Sequence, residues 1–491
     1  MRGAGFAPRE QVTLALNGAA LLTTPAIVTT RDDGGFAAAF SAPTSLLDGA
    51  NTVGALGNRS RRPALAPLQG DLPVAAAFYL AGGVETGTEH SSVTLLNPTS
   101  RPARVHFTFY DGRGKVATAS RVIPPATQRQ LPVGMLAHVE GSFGLRVTAD
   151  RAIVAGLTLT RDGRDGDSLL GNVGLDTRWY LAEGYTNLTF HETVAILNPD
   201  ARRAARVRLR LIPLNGGAGR TVPLLVSAHS QRVIDVNRLL PGRSLSLIAE
   251  SDRGVVVARA LTFSGGSYGL TTRAGTNVAA TSWLFAEGET DHHFETFLTI
   301  LNPNRRTAHV TARFYGSGGR LLGRRSVAVG PLRRANIRLN DVVRAGAGGI
   351  ASVVTADQAI VVERPEYFGS PNGERVAGSD AYGRNGVGLS WSFPDGETGG
   401  RSRELVLFYN PSPQRTRVEL TAYGADGRSW RARVSVGPTA RATLDVSKLF
   451  PGATRAHGIV VSVLSGEGIV AEQTIYTAEL GALRSTEGLA R

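Results

Sequence analysis

The sequence predicts an all-β protein built from tandem Ig-like β-sandwich domains in series. Three observations lead to this prediction: a motif that recurs about every hundred residues, apolar residues that alternate with polar ones, and turn-forming residues between the alternating stretches. Alternation with a period of two is typical of a half-buried strand. Roughly seven short strands per hundred residues, separated by turns, are typical of a β-sandwich.

The recurring motif is a six-residue phrase that opens with an aromatic residue. It reads FYLAGG, WYLAEG, WLFAEG and WSFPDG, and its copies begin at Phe78, Trp179, Trp283 and Trp391. An Asn-Pro pair follows each copy, and its asparagine always lies 19 residues after the aromatic residue. The asparagines are Asn97, Asn198, Asn302 and Asn410. The copies are 101, 104 and 108 residues apart, which indicates one domain repeated four times.

The second copy shows the strand pattern most clearly. Val207, Leu209 and Leu211 alternate with arginines, so a strand would place these three apolar residues on its inner face. The turn signal Asn215-Gly216-Gly217 follows, where a hairpin would reverse the chain. The predicted domains are an Ig-like domain over 1–72 without its first strand, and sandwich repeats over 73–174, 175–278, 279–386 and 387–491.

The two constant parts of the motif have a structural interpretation. We expect each Asn-Pro pair to end a strand, because proline cannot donate to a β-ladder and asparagine can close a turn with its own side chain. We expect the opening aromatic residues to fill the core or the contacts between domains. The alternative is a ring of asparagines that binds a sugar.

Composition narrows the classes of function. The chain has no cysteine, which excludes disulfides and thiolate chemistry, and it has no apolar run long enough for a membrane span. Its formal charge of +14 is spread over all five segments, and only Lys115 and Lys448 are lysines among 54 basic residues. We therefore predict no nucleic-acid partner. The N-terminus does not resemble a signal peptide.

Two groups of residues are candidates for catalysis or metal binding, and we expect neither group to have that function. Ser267 lies in a G-x-S-x-G sequence, but the strand-to-helix context of a nucleophile elbow is missing, so a glycine-rich loop is the expected structure. The sequence Asp291-His292-His293 offers metal ligands, although adjacent histidines on a strand point to opposite faces. We predict no catalytic residue, no cofactor site and no metal site.

We interpret the other charged residues as structural or solvent-exposed residues. Asp162, Asp165 and Asp167 suggest a solvated acidic turn, since their spacing is not that of a calcium-binding loop. The dipeptides Glu363-Arg364 and Glu472-Gln473 suggest outward strand residues in cross-strand pairs. The most basic patch suggests a solvated face, with acidic polysaccharide as the alternative. It comprises Arg202, Arg203, Arg206, Arg208 and Arg210.

The repeats resemble a family of tandem all-β repeats of unknown function from secreted and surface proteins of high-GC bacteria. The resemblance rests on Trp179 to Gly184 with the following Asn198-Pro199, and on the run Ile360 to Arg364. Gly82 and Pro394-Asp395 depart from the pattern of the phrase, which argues against a function for its glutamate. The segment from Gly5 through Pro43 resembles a bacterial Ig-like domain, which implies a missing first strand and a chain cut from a longer protein.

The resemblance implies a non-catalytic, secreted or cell-surface scaffold or stalk that is adhesive and elongated. The alternative is a protein that binds extracellular or cell-wall glycans through the loops between strands. Other surface proteins are a further class of partner. Neither an enzyme nor a particular oligomeric state is indicated.

Overall fold

We describe the chain from a computed structural model. It covers residues 2–16, 19–20, 23, 27–38, 49–70, 77–161, 165–264, 268–291, 293–344, 346–369, 375–400, 402–453, 456–477, 483–486 and 488–490. Antiparallel strands make up nearly all regular structure in these residues, so the all-β class is confirmed. The two α-helices described have four residues each, and no helix in the described ranges is long and apolar enough to cross a membrane. The chain divides into two compact units, Met1–Val74 and Ala75–Ala490.

The first unit contains a four-stranded sheet, a two-stranded sheet and its own core. Its strands are β1 Arg2–Gly3, β2 Val12–Leu16, β3 Ala19–Ala20, β4 Phe36–Ala37, β5 Gly49–Gly57 and β6 Pro63–Gly70. The sheet has the order β3-β2-β5-β6, while β1 pairs with β4. Phe6 and Phe36 pack against each other in the core, with 5.7 Å between ring centroids.

The second unit contains the four repeats. Repeat 1 has β7 Ala77–Glu85, β8 Glu89–Asn97, β9 Ala103–Tyr110, β10 Lys115–Ile123, β11 Thr127–Pro132, α1 Val133–Leu136, β12 Gly141–Ala149, β13 Val154–Arg161 and β14 Asp165–Leu170. Repeat 2 has β15 Asp176–Leu181, β16 Tyr185–Thr186, β17 Phe190–Asn198, β18 Ala205–Pro213, β19 Arg220–Val226, β20 Ser230–Asp235, β21 Arg243–Ser264 and β22 Tyr268–Ala274.

Repeats 3 and 4 follow the same order of strands. Repeat 3 has β23 Ala280–Phe285, β24 Phe294–Asn302, β25 Ala308–Tyr315, β26 Leu321–Val329, β27 Arg333–Arg338, β28 Ala351–Gly369 and β29 Arg375–Tyr382. Repeat 4 has β30 Ser390–Glu397, β31 Ser402–Tyr409, β32 Thr416–Gly424, β33 Ser429–Val436, β34 Arg441–Asp445, α2 Val446–Leu449, β35 Ala456–Ser465, β36 Val470–Thr477, β37 Leu483–Thr486 and β38 Leu489–Ala490. Short 3₁₀ turns lie at Leu214–Gly216 and Leu339–Asp341.

Each repeat is a two-sheet sandwich, as the sequence predicted. In repeat 1 the sheets have the orders β10-β9-β12-β7 and β11-β8-β13-β14. In repeats 2 and 3 one long strand, β21 or β28, passes from one sheet into the other. The alternating residues Val207, Leu209 and Leu211 lie in the core of repeat 2, almost fully buried.

The opening aromatic residues are core residues, which confirms the prediction for them. Trp179 is buried, and its indole Nε1 donates a hydrogen bond of 2.9 Å to the carbonyl of Val255. Trp283 makes the same contact with Ile360, also at 2.9 Å. The indole thus ties the first strand of a repeat to the apolar run in its long strand.

The Asn-Pro asparagines close turns at strand ends, and this prediction is also confirmed. Asn198 is fully buried, and its Oδ1 accepts a hydrogen bond from the backbone N–H of Asp200 at 3.1 Å. Its Nδ2 donates to the carbonyls of Arg203, Val226 and Ser227 at 2.9, 3.2 and 3.0 Å. The other three asparagines make equivalent bonds. These bonds consume the whole amide group, so the sugar-binding alternative for the asparagines is wrong.

The spatial order of the repeats differs from the elongated series of domains expected for a stalk. Repeat 1 contacts repeat 2, repeat 2 contacts repeat 3 and repeat 3 contacts repeat 4, but repeat 4 also contacts repeat 1. The strands β14, β22, β29 and β37 meet around a central axis, each touching the next. The second unit is therefore a closed ring of four sandwiches. The sequence did not indicate this closure, because a period along the chain carries no information on contacts between the first and last copies.

Candidate functional site

The interfaces between repeats concentrate the buried charges of the ring. At the interface of repeats 2 and 3, Glu183 of the phrase pairs with Arg334 at 2.6 Å. The backbone N–H of Glu183 donates to Glu363 Oε2 at 2.7 Å, and Arg259 pairs with Glu363 Oε1 at 2.8 Å. All four side chains are buried. Two ion pairs therefore cross this interface out of contact with water.

The interface of repeats 3 and 4 repeats the same chemistry. Glu287 pairs with Arg441 at 3.0 Å, and Arg364 pairs with Glu472 at 2.8 Å. The backbone N–H of Ala286 donates to Glu472 Oε1 at 2.7 Å. The four charged positions at this interface thus correspond one by one to those between repeats 2 and 3.

The interface of repeats 1 and 2 lacks all four charges. Gly82 occupies the position that Glu183 has in repeat 2, and Gln231 occupies the position that Arg334 has in repeat 3. Leu157 corresponds in the same way to Arg259, and Ala258 corresponds to Glu363. A neutral bond of 2.9 Å from the N–H of Gly82 to Gln231 Oε1 replaces the ion pairs. The four positions therefore change together.

The ring closes through a third set of contacts, between repeats 4 and 1. Thr158 Oγ1 donates to Asp395 Oδ2 at 2.9 Å, and Gln128 Nε2 donates to the carbonyl of Pro394 at 3.2 Å. Both bonds involve the Pro-Asp that departs from the phrase in repeat 4. The Pro-Asp of repeat 4 therefore changes the contacts that the phrase makes with the neighbouring repeat, while the sandwich fold of repeat 4 is the same as in the other repeats.

Charged side chains also lie on the central axis. Arg273 of repeat 2 reaches the carbonyls of Asp380 in repeat 3 and Ser485 in repeat 4. Asp167 of repeat 1 accepts a bond of 2.7 Å from the N–H of Thr272. Burial raises the pKa of Asp167 to about 8, against the opposing charge of Arg273.

Burial acts in the same direction on other carboxyls of the interfaces. It raises the pKa of Glu363 well above the ordinary value, although Arg259 opposes the rise. It raises the pKa of Glu183, against Arg334 and Arg259. The pKa of Glu192 rises to about 8 for the same reason, with Arg259 opposing. These groups are held away from solvent, which suits a role in joining repeats.

A cleft lies at the interface between repeats 2 and 3. We call it the aromatic cleft; it has a volume of 230 Å³ and is lined by Glu183, Tyr185, Ser244, Phe297, Thr299, Arg334, Asn336, Pro365, Tyr367 and Arg375. Tyr185 and Phe297 are half-buried, whereas Asn336 is exposed. The guanidinium of Arg375 lies over the ring of Tyr367, 4.4 Å from its centroid.

An equivalent cleft at the interface of repeats 1 and 2 has a different lining. We call it the aliphatic cleft; it has a volume of 370 Å³, and Thr193, Ala195, Val233, Ala258 and Ala260 form part of its wall. Val233 pairs with Ala195 in repeat 2, and Asn336 pairs with Thr299 in repeat 3. These two pairs occupy the same place in the strand register, so Val233 corresponds to Asn336. Glu89, Arg161 and His191 also line the aliphatic cleft, whereas its described lining contains no Phe or Tyr side chain.

Two predictions about charged strand residues are wrong. Glu363 and Arg364, like Glu472 and Gln473, do not point to solvent; all four are buried at repeat interfaces or beside them. Alternation along a strand predicts two faces, and here the adjoining repeats cover the second face. The glutamate of the phrase likewise has a part in the ring, since Glu183 and Glu287 both form interface ion pairs.

The acidic turn is a further correction. Asp167 is fully buried on the axis, because β14 is a central strand of the ring. Asp162 lies outside the described residues, and the side chain of Asp165 is not described.

The remaining candidates lie apart from the interfaces or outside the described part of the chain. Ser267 and His292 are outside it, while His293 is exposed. Among the residues that the structure describes, no three His, Asp or Glu side chains gather as a metal site. In the arginine patch, Arg206 and Arg208 are exposed, and Arg208 pairs with Glu250 at 3.1 Å, as expected of a solvated face.

Sequence reasoning missed the arginines of the interfaces. Arg334 and Arg441 lie 32 and 31 residues after the asparagines of their repeats, and each partners the glutamate of the preceding phrase. Gln231 lies at the corresponding place in repeat 2. Each of these residues can be compared with the phrase of the preceding repeat. The arginines follow phrases that contain a glutamate, and Gln231 follows the phrase in which Gly82 replaces the glutamate, so the two positions change together.

No protein-family model matches the chain, and curated proteins gave no match either. Among solved structures, it is similar to Thermotoga maritima 1070, with 20% identity over 20% of this chain and 92% of that one, and a TM-score of 0.19. It is similar to the Anabaena sensory rhodopsin transducer, with 29% identity, 17% and 94% coverage and a TM-score of 0.16. It is also similar to a tetra-tandem repeat from the extending region of a large adhesion protein, with 11% identity over 98% of this chain and 91% of that one, and a TM-score of 0.10. Scores this low carry no argument about function.

Proposed function

We propose that the chain is a non-catalytic, adhesive scaffold on the surface of a bacterial cell or secreted from it. The observation that carries this proposal is the closed ring, in which ion pairs and hydrogen bonds join each repeat to the next. Acidic and basic side chains that could act on a substrate, such as Glu183 and Arg334, are instead bound to each other inside an interface. A ring joined in this way holds its outer loops at constant positions, as a display scaffold requires.

The buried ion pairs also support a structural role for the repeats. Burying charges costs free energy, and such pairs are best explained where they select one arrangement over others. Here they distinguish interfaces: the charged set joins repeats 2, 3 and 4 in order, while the neutral set of Gly82 and Gln231 joins repeats 1 and 2. The surface location rests on the resemblance of the repeats to surface proteins.

The proposal is tested on intact cells of the organism that encodes the chain. Antibodies raised against the ring should label unbroken cells or detect the protein in the medium, and deleting the gene should reduce attachment of the cells to a surface. Labelling that requires broken cells contradicts the surface location. Attachment unchanged by deletion contradicts the adhesive role.

A further inference from the structure

Three aromatic rings fill part of the interface between repeats 2 and 3. Phe190 and Phe263 of repeat 2 pair across neighbouring strands and stack with 5.2 Å between ring centroids. Tyr367 of repeat 3 packs edge-on against both rings, at 6.0 and 5.5 Å. The guanidinium of Arg375 lies 4.4 Å from the centroid of Tyr367. Rings in such arrangements attract one another, and a cation over a ring adds to the attraction.

The interface between repeats 3 and 4 contains the same three rings. Phe294 and Phe368 pair across neighbouring strands, with 5.0 Å between centroids. Tyr476 of repeat 4 packs edge-on against Phe294 at 6.1 Å. In both interfaces the tyrosine lies four residues after the buried interface glutamate of the second repeat. We call these three positions the aromatic triad, and it is common to both charged interfaces.

The interface between repeats 1 and 2 has no aromatic residue at the three positions of the triad. Glu89 and Arg161 form the cross-strand pair at the place of the two phenylalanines. Thr262 lies four residues after Ala258, at the place of the tyrosine. Glu89, Arg161 and Thr262 all line the aliphatic cleft. This cleft therefore lies where the other two interfaces contain aromatic rings.

The remaining wall of the aliphatic cleft is rich in aliphatic side chains. They are Val84, Leu159, Ala195, Val233, Ala258, Ala260 and Leu270. A cavity of about 150 Å³ with an apolar lining holds benzene. The volume of 370 Å³ is larger than that and falls within the roughly 300–1,000 Å³ of ligand pockets, so it has room for two fused rings.

The charges at the aliphatic cleft offset one another. Glu89 Oε1 lies 3.9 Å from Arg161 Nη1. His191 Nε2 lies 3.4 Å from Asp235 Oδ1, and Arg238 binds the same carboxylate at 3.1 Å. With a neutral imidazole the other four charges sum to zero, so an uncharged ligand is favoured. The guanidinium of Arg161 favours an aromatic ring over a saturated one, because only the aromatic ring has a negative face.

We propose that the aliphatic cleft binds an uncharged aromatic compound of two fused rings, which takes the place of the aromatic triad. The ligand contacts Leu159 of repeat 1 and Ala260 of repeat 2, and its ring faces Arg161. This inference goes beyond the scaffold role, since it assigns a small-molecule site to the neutral interface of the ring.

The test is calorimetric titration of the whole chain with 2-naphthol and with decahydro-2-naphthol. The two compounds have the same carbon skeleton and the same hydroxyl group, but only 2-naphthol is flat and aromatic. We expect one 2-naphthol to bind per chain, and decahydro-2-naphthol to bind more weakly by about tenfold or more. No binding of 2-naphthol, or equal binding of both compounds, overturns the proposal.

Two variants fill the aliphatic cleft with aromatic side chains of the protein itself. The double variant Glu89→Phe, Thr262→Tyr restores two rings of the triad, and both positions are half-buried. Val233→Trp adds an indole at an exposed position of the lining, so it tests the site even if the double variant does not fold. We expect each to weaken binding of 2-naphthol by about tenfold or more.

The control is Thr118→Tyr, which adds a ring at an exposed position of β10 outside the cleft. We expect it to leave binding of 2-naphthol unchanged. Wild-type affinity in Val233→Trp and in the folded double variant, or an equal loss in the control, contradicts the site. The titration is independent of cell labelling, so the cleft and the scaffold role can fail separately.

Discussion

Arg273 Nη2 donates a hydrogen bond to the backbone carbonyl of Ser485 over 2.7 Å. The two residues belong to repeats 2 and 4 and are 212 positions apart in the chain. The same guanidinium reaches the carbonyl of Asp380 in repeat 3. One buried side chain therefore joins three repeats at the axis of the ring, and we expect Ala75–Ala490 to fold and unfold as one body.

Closure of the ring can be tested by cross-linking repeats 1 and 4. Thr158 and Asp395 are in hydrogen-bond contact across the closing interface, and the chain has no native cysteine to interfere. In the double variant Thr158→Cys, Asp395→Cys, we expect mild oxidation to form an intramolecular disulfide, identified by peptide mass mapping. The same protein unfolded in urea is the control and should form this disulfide far less. Intermolecular disulfides alone from the folded protein would contradict the ring.

Removing one partner of an interface ion pair should be costly. Arg334→Met leaves the carboxylate of Glu183 buried without its cation, and we expect a loss of about 3–5 kcal/mol in the free energy of unfolding. The matched control is Gln231→Met at the neutral interface, where no charge loses its partner and the expected loss is about 1 kcal/mol. Urea unfolding of the whole chain, followed by tryptophan fluorescence, measures both. Equal losses would show that the pair does not stabilise the interface.

The stability of the ring should fall as the pH rises. Glu192 has a pKa of about 8 in the folded protein because burial disfavours its charged form, against an ordinary value of 4.5. The folded state therefore binds more protons than the unfolded state between these values, and stability is lost as the pH increases from 4.5 toward 8. Asp167 and Glu366, with pKa values of about 8, act in the same direction.

The measurement is the urea midpoint of the wild type and of Glu192→Gln between pH 5 and pH 8. We expect the wild-type midpoint to fall over this range and the midpoint of the variant to fall less, because its amide does not titrate. Identical slopes for the two proteins would show that Glu192 does not titrate as its burial implies.

The asparagine of the Asn-Pro pair should matter more than the proline. Asn198→Ala leaves three carbonyls in a buried turn without their donor, and we expect a loss of about 3 kcal/mol. Asn198→Asp should be at least as harmful, since it keeps the acceptor but has no N–H to donate. Pro199→Ala should cost less than about 1 kcal/mol. Urea midpoints rank the three variants, and a larger effect at Pro199 would refute this order.

The sequence was informative wherever the cause is local. The 19-residue interval, the indole of Trp179 and the amide of Asn198 all act within one repeat, so period and residue type were enough to predict a sandwich, a core aromatic and a strand end. The alternation at Val207 to Leu211 predicted a strand for the same reason. No feature of one repeat, however, indicated that Glu363 and Asp167 would be buried.

By itself, the sequence determined that the chain is all-β and that it repeats one sandwich four times. Only the tertiary structure decided that the repeats close into a ring, that Glu183 meets Arg334 and that aromatic residues of repeats 2 and 3 border one cleft. The physical reason is that these contacts join residues far apart in the chain: 151 positions separate Glu183 from Arg334, and 266 separate Gln128 from Pro394. They depend on how whole sandwiches pack, and the periodicity of a strand is the same whether its outer face meets water or another repeat.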